Sequence, residues 1–167
     1  FNGAQDRYDW SYEGKQTMIV PFMNDALAQN AIADTHGVGH LNPDFVRFEE
    51  HDVHVVHAQL SPGQRHLYES RTFYFLDGQP GLLVYQDMFD GNQELMRTYM
   101  QTHVVGGLGG TGMMSEDICN VQGEYTFDFA TRTYSGGNIM GEAIQPRPPI
   151  FNGCLLYTSP SPRDPHL

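Results

Sequence analysis

The residues best equipped for chemistry are three histidines in the run HDVHVVH: His51, His54 and His57. Imidazoles are common metal ligands and serve as acids and bases near neutral pH. The spacing argues against a shared ion. The run is valine-rich and reads as a strand, in which side chains three apart point to opposite faces. His51 and His57 share a face but stand about 20 Å apart along an extended chain. A zinc site would use His-x-His on a strand or His-x-x-x-His on a helix. His36 and His40 have the helical interval, yet Gly37 and Gly39 oppose a helix there. The histidines are therefore read as surface or hydrogen-bonded sheet residues, and no metal is expected.

Nucleophilic chemistry has no better footing. The chain has no Gly-x-Ser-x-Gly, and Cys119 reads as a small buried hydrophobe. The glycine-rich run at 106–112 lacks the Lys-Ser/Thr of a phosphate-binding loop and lies outside any βαβ unit. It reads as a mobile loop, with a flexible gate at a cavity mouth as the functional alternative. No catalytic residue and no cofactor are expected.

Charges and aromatics offer more. Asp9, Arg47, Glu49, Arg65 and Arg71 sit within strand-like runs, with Arg47 and Glu49 on one face. They make either a cross-strand ladder on the solvent face or, for Arg47, Glu49, Arg65 and Arg71, a polar rim that anchors a head group. Phe73, Phe75, Tyr85, Phe89, Tyr125, Phe127 and Phe129 are core by default. On a curved, open sheet, one set would face an apolar cavity suited to an acyl chain.

The elements that must position these residues are strands. The stretch 42–99 is a succession of β-rich runs broken by turn signals, Ser61-Pro62-Gly63-Gln64, Asp77-Gly78 and Asp90-Gly91-Asn92. Strands are expected over 45–60 (one long strand or two with a kink), 65–76, 82–89 and 95–104. The Phe73-Tyr74-Phe75-Leu76 end of one is apolar on both faces, as in mid-sheet. Upstream, two short strands are expected around Glu13-Gly14, then a helix over 24–33 capped by Asn24. Downstream, 124–130 alternates with Tyr125, Phe127 and Phe129 on one face, and 132–139 adds a last strand. The expected fold class is mainly β: a curved antiparallel sheet with one or two short helices.

The chain has 167 residues, a formal net charge of −11 and two cysteines, Cys119 and Cys154. So acidic a surface opposes nucleic-acid binding, which needs clustered Lys and Arg. No apolar run approaches the roughly 20 residues of a membrane-spanning helix. Residues 146–167 are Pro- and Ser-rich and are expected to form a disordered tail. Within it, 154–167 (CLLYTSPSPRDPHL) resembles a recurrent translation of library adaptor sequence and is set aside as non-native.

Several motifs fall in order: RYDW at 7–10, NPDFVRFEEH at 42–51, LSPGQRHLY at 60–68, RTFYFLD at 71–77 and DMFDGNQELMR at 87–97. Together they resemble the DUF1329 family, bacterial envelope proteins without an assigned biochemical function. These are often labelled outer-membrane lipoprotein-sorting proteins for their likeness to the LolA/LolB fold. The resemblance implies that residues 1–145 are the C-terminal part of a longer β domain, with a signal peptide and an N-terminal half upstream. It also implies an unclosed barrel with a helical lid over an apolar concave face. Where the family tends to read HRVWVVEA, this chain carries His54 and His57, so those positions are not tied to a shared function.

The functional expectation is a non-enzymatic carrier for a lipid or lipidated protein, in the periplasm or at the outer-membrane periphery, with an acyl chain as partner. The alternative is an interaction module docking onto an outer-membrane β-barrel or transporter. A metal-dependent hydrolase ranks last.

Overall fold

The computed structural model describes residues 5–79, 81–105 and 119–138. The glycine-rich run at 106–112 and the tail at 146–167 lie outside them. Among the described residues, seven strands form one antiparallel sheet in simple chain order, β1 to β7, which does not close. They are β1 (Tyr8–Pro21), β2 (Phe48–Leu60), β3 (Ser70–Leu76), β4 (Leu83–Phe89), β5 (Leu95–Val105), β6 (Cys119–Asp128) and β7 (Thr133–Asn138). Two short helices, α1 (Asp25–Gln29) and α2 (Ile32–Thr35), occupy the excursion between β1 and β2. The mainly β, antiparallel architecture matches the sequence expectation.

The boundaries differ in instructive ways. The two short strands expected around Glu13-Gly14 are one strand: the pairing steps from Tyr12↔Val56 to Gly14↔Val55, so Glu13 is the extra residue of a β-bulge. Gly14 sits at φ +103, a conformation open to glycine and strained for other residues. The expected helix at 24–33 is split at Asn30, whose extended backbone ends α1. Asn24 does not cap α1 with its side chain. Instead its Oδ1 accepts the Arg47 N–H at 2.9 Å and its own N–H donates to the His103 carbonyl at 2.7 Å. This fully buried asparagine thus pins both ends of the excursion to the sheet.

Alternation and register assign side chains to two faces. Tyr8, Ala58 and Arg71 lie on one, which continues through Phe73 and Met88 to Arg97 and Asp128. Val53, Val55 and Tyr74 lie on the other, which continues through Tyr85 and Met100 to Tyr125, Phe127 and Tyr134. Further bulges interrupt the β3–β4, β4–β5 and β5–β6 ladders. Bulges bend strands and add twist, and β1 comes round to touch β4 and β5.

Among the described residues, three clusters hold the fold. On the second face, Val20, Val53, Val55, Leu76, Leu82 and Val84 pack together, with Tyr74 and Tyr85 against them. Beside them, Leu27 and Leu41 from the helical excursion cover Met100 and Tyr125. The excursion is therefore a lid on that face. On the first face, Tyr8, Ala58 and Phe73 form a smaller cluster flanked by Phe75, Leu60 and Leu83. Phe73-Tyr74-Phe75-Leu76 is thus covered on both sides, as its double-faced apolarity requires.

Candidate functional site

The lid does not seal the second face completely. Between residues 40–48 and strands β5 and β6 lies a pocket of about 300 Å³, lined by His40, Leu41, Pro43, Val46, Phe48, Met100 and Phe127. His40 is its one polar residue, and its Nδ1 is engaged with the Leu41 carbonyl at 2.7 Å. The lining segment is built by local rules. Asn42 accepts the Asp44 N–H, and Pro43 opens a 3-10 turn over Pro43–Phe45. Asn42 Nδ2 also donates to the Asp34 carbonyl, tying the segment to α2. Tyr85 and Tyr125 stand behind the wall, and burial pushes both phenols up to about 12, so they stay neutral. Phe127 stacks on Tyr134 at 5.6 Å.

Two further grooves lie on the first face and share Gln86 and Tyr99. The larger, about 750 Å³, is lined by Arg71, Arg97, His66, Asp128 and hydroxyl-bearing residues including Tyr68 and Ser135. The smaller, about 510 Å³, is lined by Trp10, Phe73, Phe75, Leu82 and Leu83 with Gln101 and Glu124. Trp10 and Phe73 meet at 5.5 Å, and Phe73 and Phe75 stack at 6.3 Å.

In the larger groove, Arg71 is 7% exposed, with its guanidinium carbon 5.1 Å from the Tyr8 ring centre and 5.0 Å from that of Tyr68. Its Nη2 lies 3.1 Å from His66 Nε2. The Tyr68 N–H donates to His66 Nδ1 at 3.1 Å. Burial, then the nearby Arg71 and Arg7 charges, push the His66 imidazole below its usual range, so it is neutral at pH 7. Arg97 Nε donates to Asp128 Oδ2 at 2.8 Å and Nη1 donates to the Tyr68 hydroxyl at 2.9 Å. The Thr131 N–H and Arg97 hold the Asp128 carboxyl down at about 2.

The seven aromatics singled out in the sequence do not converge on one cavity. Phe73 and Phe75 line the smaller first-face groove, while Phe127 lines the lid pocket on the opposite face. Tyr85 and Tyr125 back that pocket, and Phe89 pairs with Ser70 on the same face. Phe129 stands beyond the end of β6 at 50% exposure. The four charges also separate. Arg47 forms an exposed ion pair with Glu49 at 2.5 Å, Glu49 also meets His51 at 3.2 Å, and Arg65 is exposed in the β2–β3 connection. Of these four, Arg71 lines one of the grooves described above.

The histidines go separate ways. His54 Nδ1 is 2.8 Å from the Tyr12 hydroxyl and its Nε2 2.8 Å from Asp77, which also binds Lys15 at 2.7 Å. His57 contacts Thr72 at 3.4 Å. Among the described residues, no three His, Cys, Asp or Glu side chains gather as metal ligands. The sequence reading missed His66, Arg97 and Asp128. Arg97 carried the right signal, an isolated charge in a strand, but its face depends on a bulge between Met88 and Phe89.

Fold and site together define an open antiparallel meander with a lidded apolar pocket on one face and a paired polar and aromatic groove on the other. The model of the family described as a protein of unknown function, DUF1329, matches residues 1–146, and the chain belongs to that family. Over 99 residues it is 40% identical to Uncharacterized protein PA3922 of Pseudomonas aeruginosa, a match covering 58% of this chain and 22% of that one. Two solved structures are similar. One is a putative outer membrane lipoprotein-sorting protein domain from Vibrio parahaemolyticus, at TM-score 0.45 and 7% identity, covering 84% of this chain and 45% of that one. The other is a DUF1329 family protein from Desulfovibrio piger, at TM-score 0.41 and 12% identity, covering 90% and 48%. The chain thus spans less than half the length of each of these proteins.

Proposed function

We propose that this domain is a non-catalytic carrier that shelters the acyl chain of a lipid or lipidated protein in the periplasm, at the bacterial outer membrane. The observation that carries the reading is the pocket under the lid, about 300 Å³ and walled by Leu41, Val46, Phe48, Met100 and Phe127. An alkyl chain entering such a pocket leaves water at about 0.8 kcal/mol per methylene. The pocket offers a chain dispersion contacts and excluded water, with no polar group converging on a reacting atom. The class of ligand follows the motif resemblance, and the seat follows the geometry. Phe127 makes the direct contact in this account, with Tyr85 and Tyr125 as its support. The pocket lies between a lid and a sheet, so uptake and release need only the lid segment to shift.

Native mass spectrometry of the full-length protein purified from its own host tests this. The account expects a co-purified species with the mass of a lipid or acylated peptide. A consistently ligand-free protein across preparations overturns it.

One observation favours a second reading, an interaction module. Strand β1 lies at an edge of the described sheet and exposes Trp10, Tyr12 and Ile19 at 40%, 61% and 58%. Such an edge can accept a partner strand, for example from an outer-membrane barrel or transporter.

A further inference from the structure

We propose that the groove crossed by Arg71 and Arg97 binds an oxyanion group, phosphate or carboxylate, carried by an amphiphile whose chain lies along the adjoining Trp10–Phe73–Phe75 groove. Register puts the two arginines in one site. Met88 on β4 pairs with Arg71 on β3 and with Arg97 on β5. The two cations therefore flank one residue on one face, about 10 Å apart by strand spacing. Both side chains line the same groove, and guanidinium groups favour forked hydrogen bonding to oxyanions.

The charge of the groove runs against that of the molecule. Its lining carries Arg71 and Arg97 against one carboxylate, Asp128, a formal balance of +1. The whole chain stands at −11. A net-positive groove on so acidic a surface selects small anions while the surrounding field disfavours polyanions. The site is also rigid. The Arg71 guanidinium lies over the Tyr8 and Tyr68 rings, and Asp128 and the Tyr68 hydroxyl orient Arg97. Little side-chain freedom remains to be lost on binding. The chain groove adjoins this head site, since Gln86 and Tyr99 line both. Trp10, Phe73, Phe75, Leu82 and Leu83 give it an apolar side for a chain, and Gln101 and Glu124 also line it.

This site stands apart from the lid pocket, because the two occupy opposite faces of the sheet. Failure of one leaves the other standing.

Calorimetric titration of the chain with dodecyl phosphate, inorganic phosphate and dodecyl maltoside, each below its micellar concentration, tests the proposal. Dodecyl phosphate is expected to bind at least about tenfold tighter than the uncharged maltoside, the size of effect that charge-assisted hydrogen bonds give. Arg97→Gln is expected to lose about that factor. Asp128→Asn, which removes the competing carboxylate, is expected to tighten binding. Opposite signs from the two partners of one ion pair separate a binding role from a structural one, which would weaken both. Displacement of dodecyl phosphate by inorganic phosphate supports the head site acting alone, and resistance to displacement supports joint use of the chain groove. Absence of binding, equal affinity for the maltoside, or indifference to Arg97→Gln overturns the proposal.

Discussion

Arg71 and His103 are buried among different neighbours. The Arg71 guanidinium lies over two tyrosine rings with an imidazole beside it. His103, at 0% exposure beneath the turn that leads into the lid, is pushed below its usual range by burial, with the Pro21 and Leu83 backbone acting the other way. A histidine whose folded pKa is lowered takes up its proton more readily in the unfolded chain. Stability is therefore complete above the unfolded value near 6.5 and falls as pH drops below it. His66, shifted in the same direction, adds to the slope. Between pH 7 and 5 the melting temperature should fall, and His103→Leu should make that fall shallower. An unchanged slope in the variant would show that His103 titrates freely.

At the scale of elements, the sheet depends on where strands approach closely. β7 can lie against β6 only because Gly136, at φ +153, carries no side chain. A Cβ there would collide with the Glu124 carbonyl oxygen and the Tyr125 backbone. Gly136→Ala should therefore destabilise the domain by about 1–3 kcal/mol in chemical denaturation, whereas Gly137→Ala, with open space around it, should cost well under half of that. Equal effects would mean that β7 is not held in this register.

The same scale shows what could be read from the sequence. Period-two alternation marked nearly every strand, and Phe73-Tyr74-Phe75-Leu76 announced its two-sided burial. Ends were harder. The strand expected from Arg65 starts only at Ser70, because His66 and Tyr68 instead build the wall behind Arg71. Phe129 lost its place on the Tyr125–Phe127 face because Asp128 ends β6 and accepts the Thr131 N–H in a turn. The asparagine at 24 was legible as a corner but not as the latch it is, since its partners Arg47 and His103 are remote in sequence.

For the molecule as a whole, the two faces carry separate binding surfaces, and that division was hidden in the sequence. Alternation tells which residues within one strand share a face. Relating one strand to the next needs the register, and four of the six ladders carry a shift. Phe73 and Phe127 looked equivalent as strand aromatics, yet they line grooves on opposite sides. The lid pocket was foreseeable only as a kind of feature, a helical cover over an apolar face. Its walls come from Leu41, Val46 and Phe48, which sit in or beside loop-like sequence.

The central claim, that the lidded pocket takes an acyl chain, is tested most directly by equilibrium titration with a fluorescent acyl-ester probe that carries no anionic head group. The account predicts saturable binding of one equivalent, weakened at least about tenfold in Phe127→Asp, since a carboxylate in the pocket must be desolvated with nothing to pair it. Circular dichroism should report the same sheet in both proteins. Binding that is absent in the unsubstituted chain, or that is undiminished in a folded Phe127→Asp variant, would contradict the account.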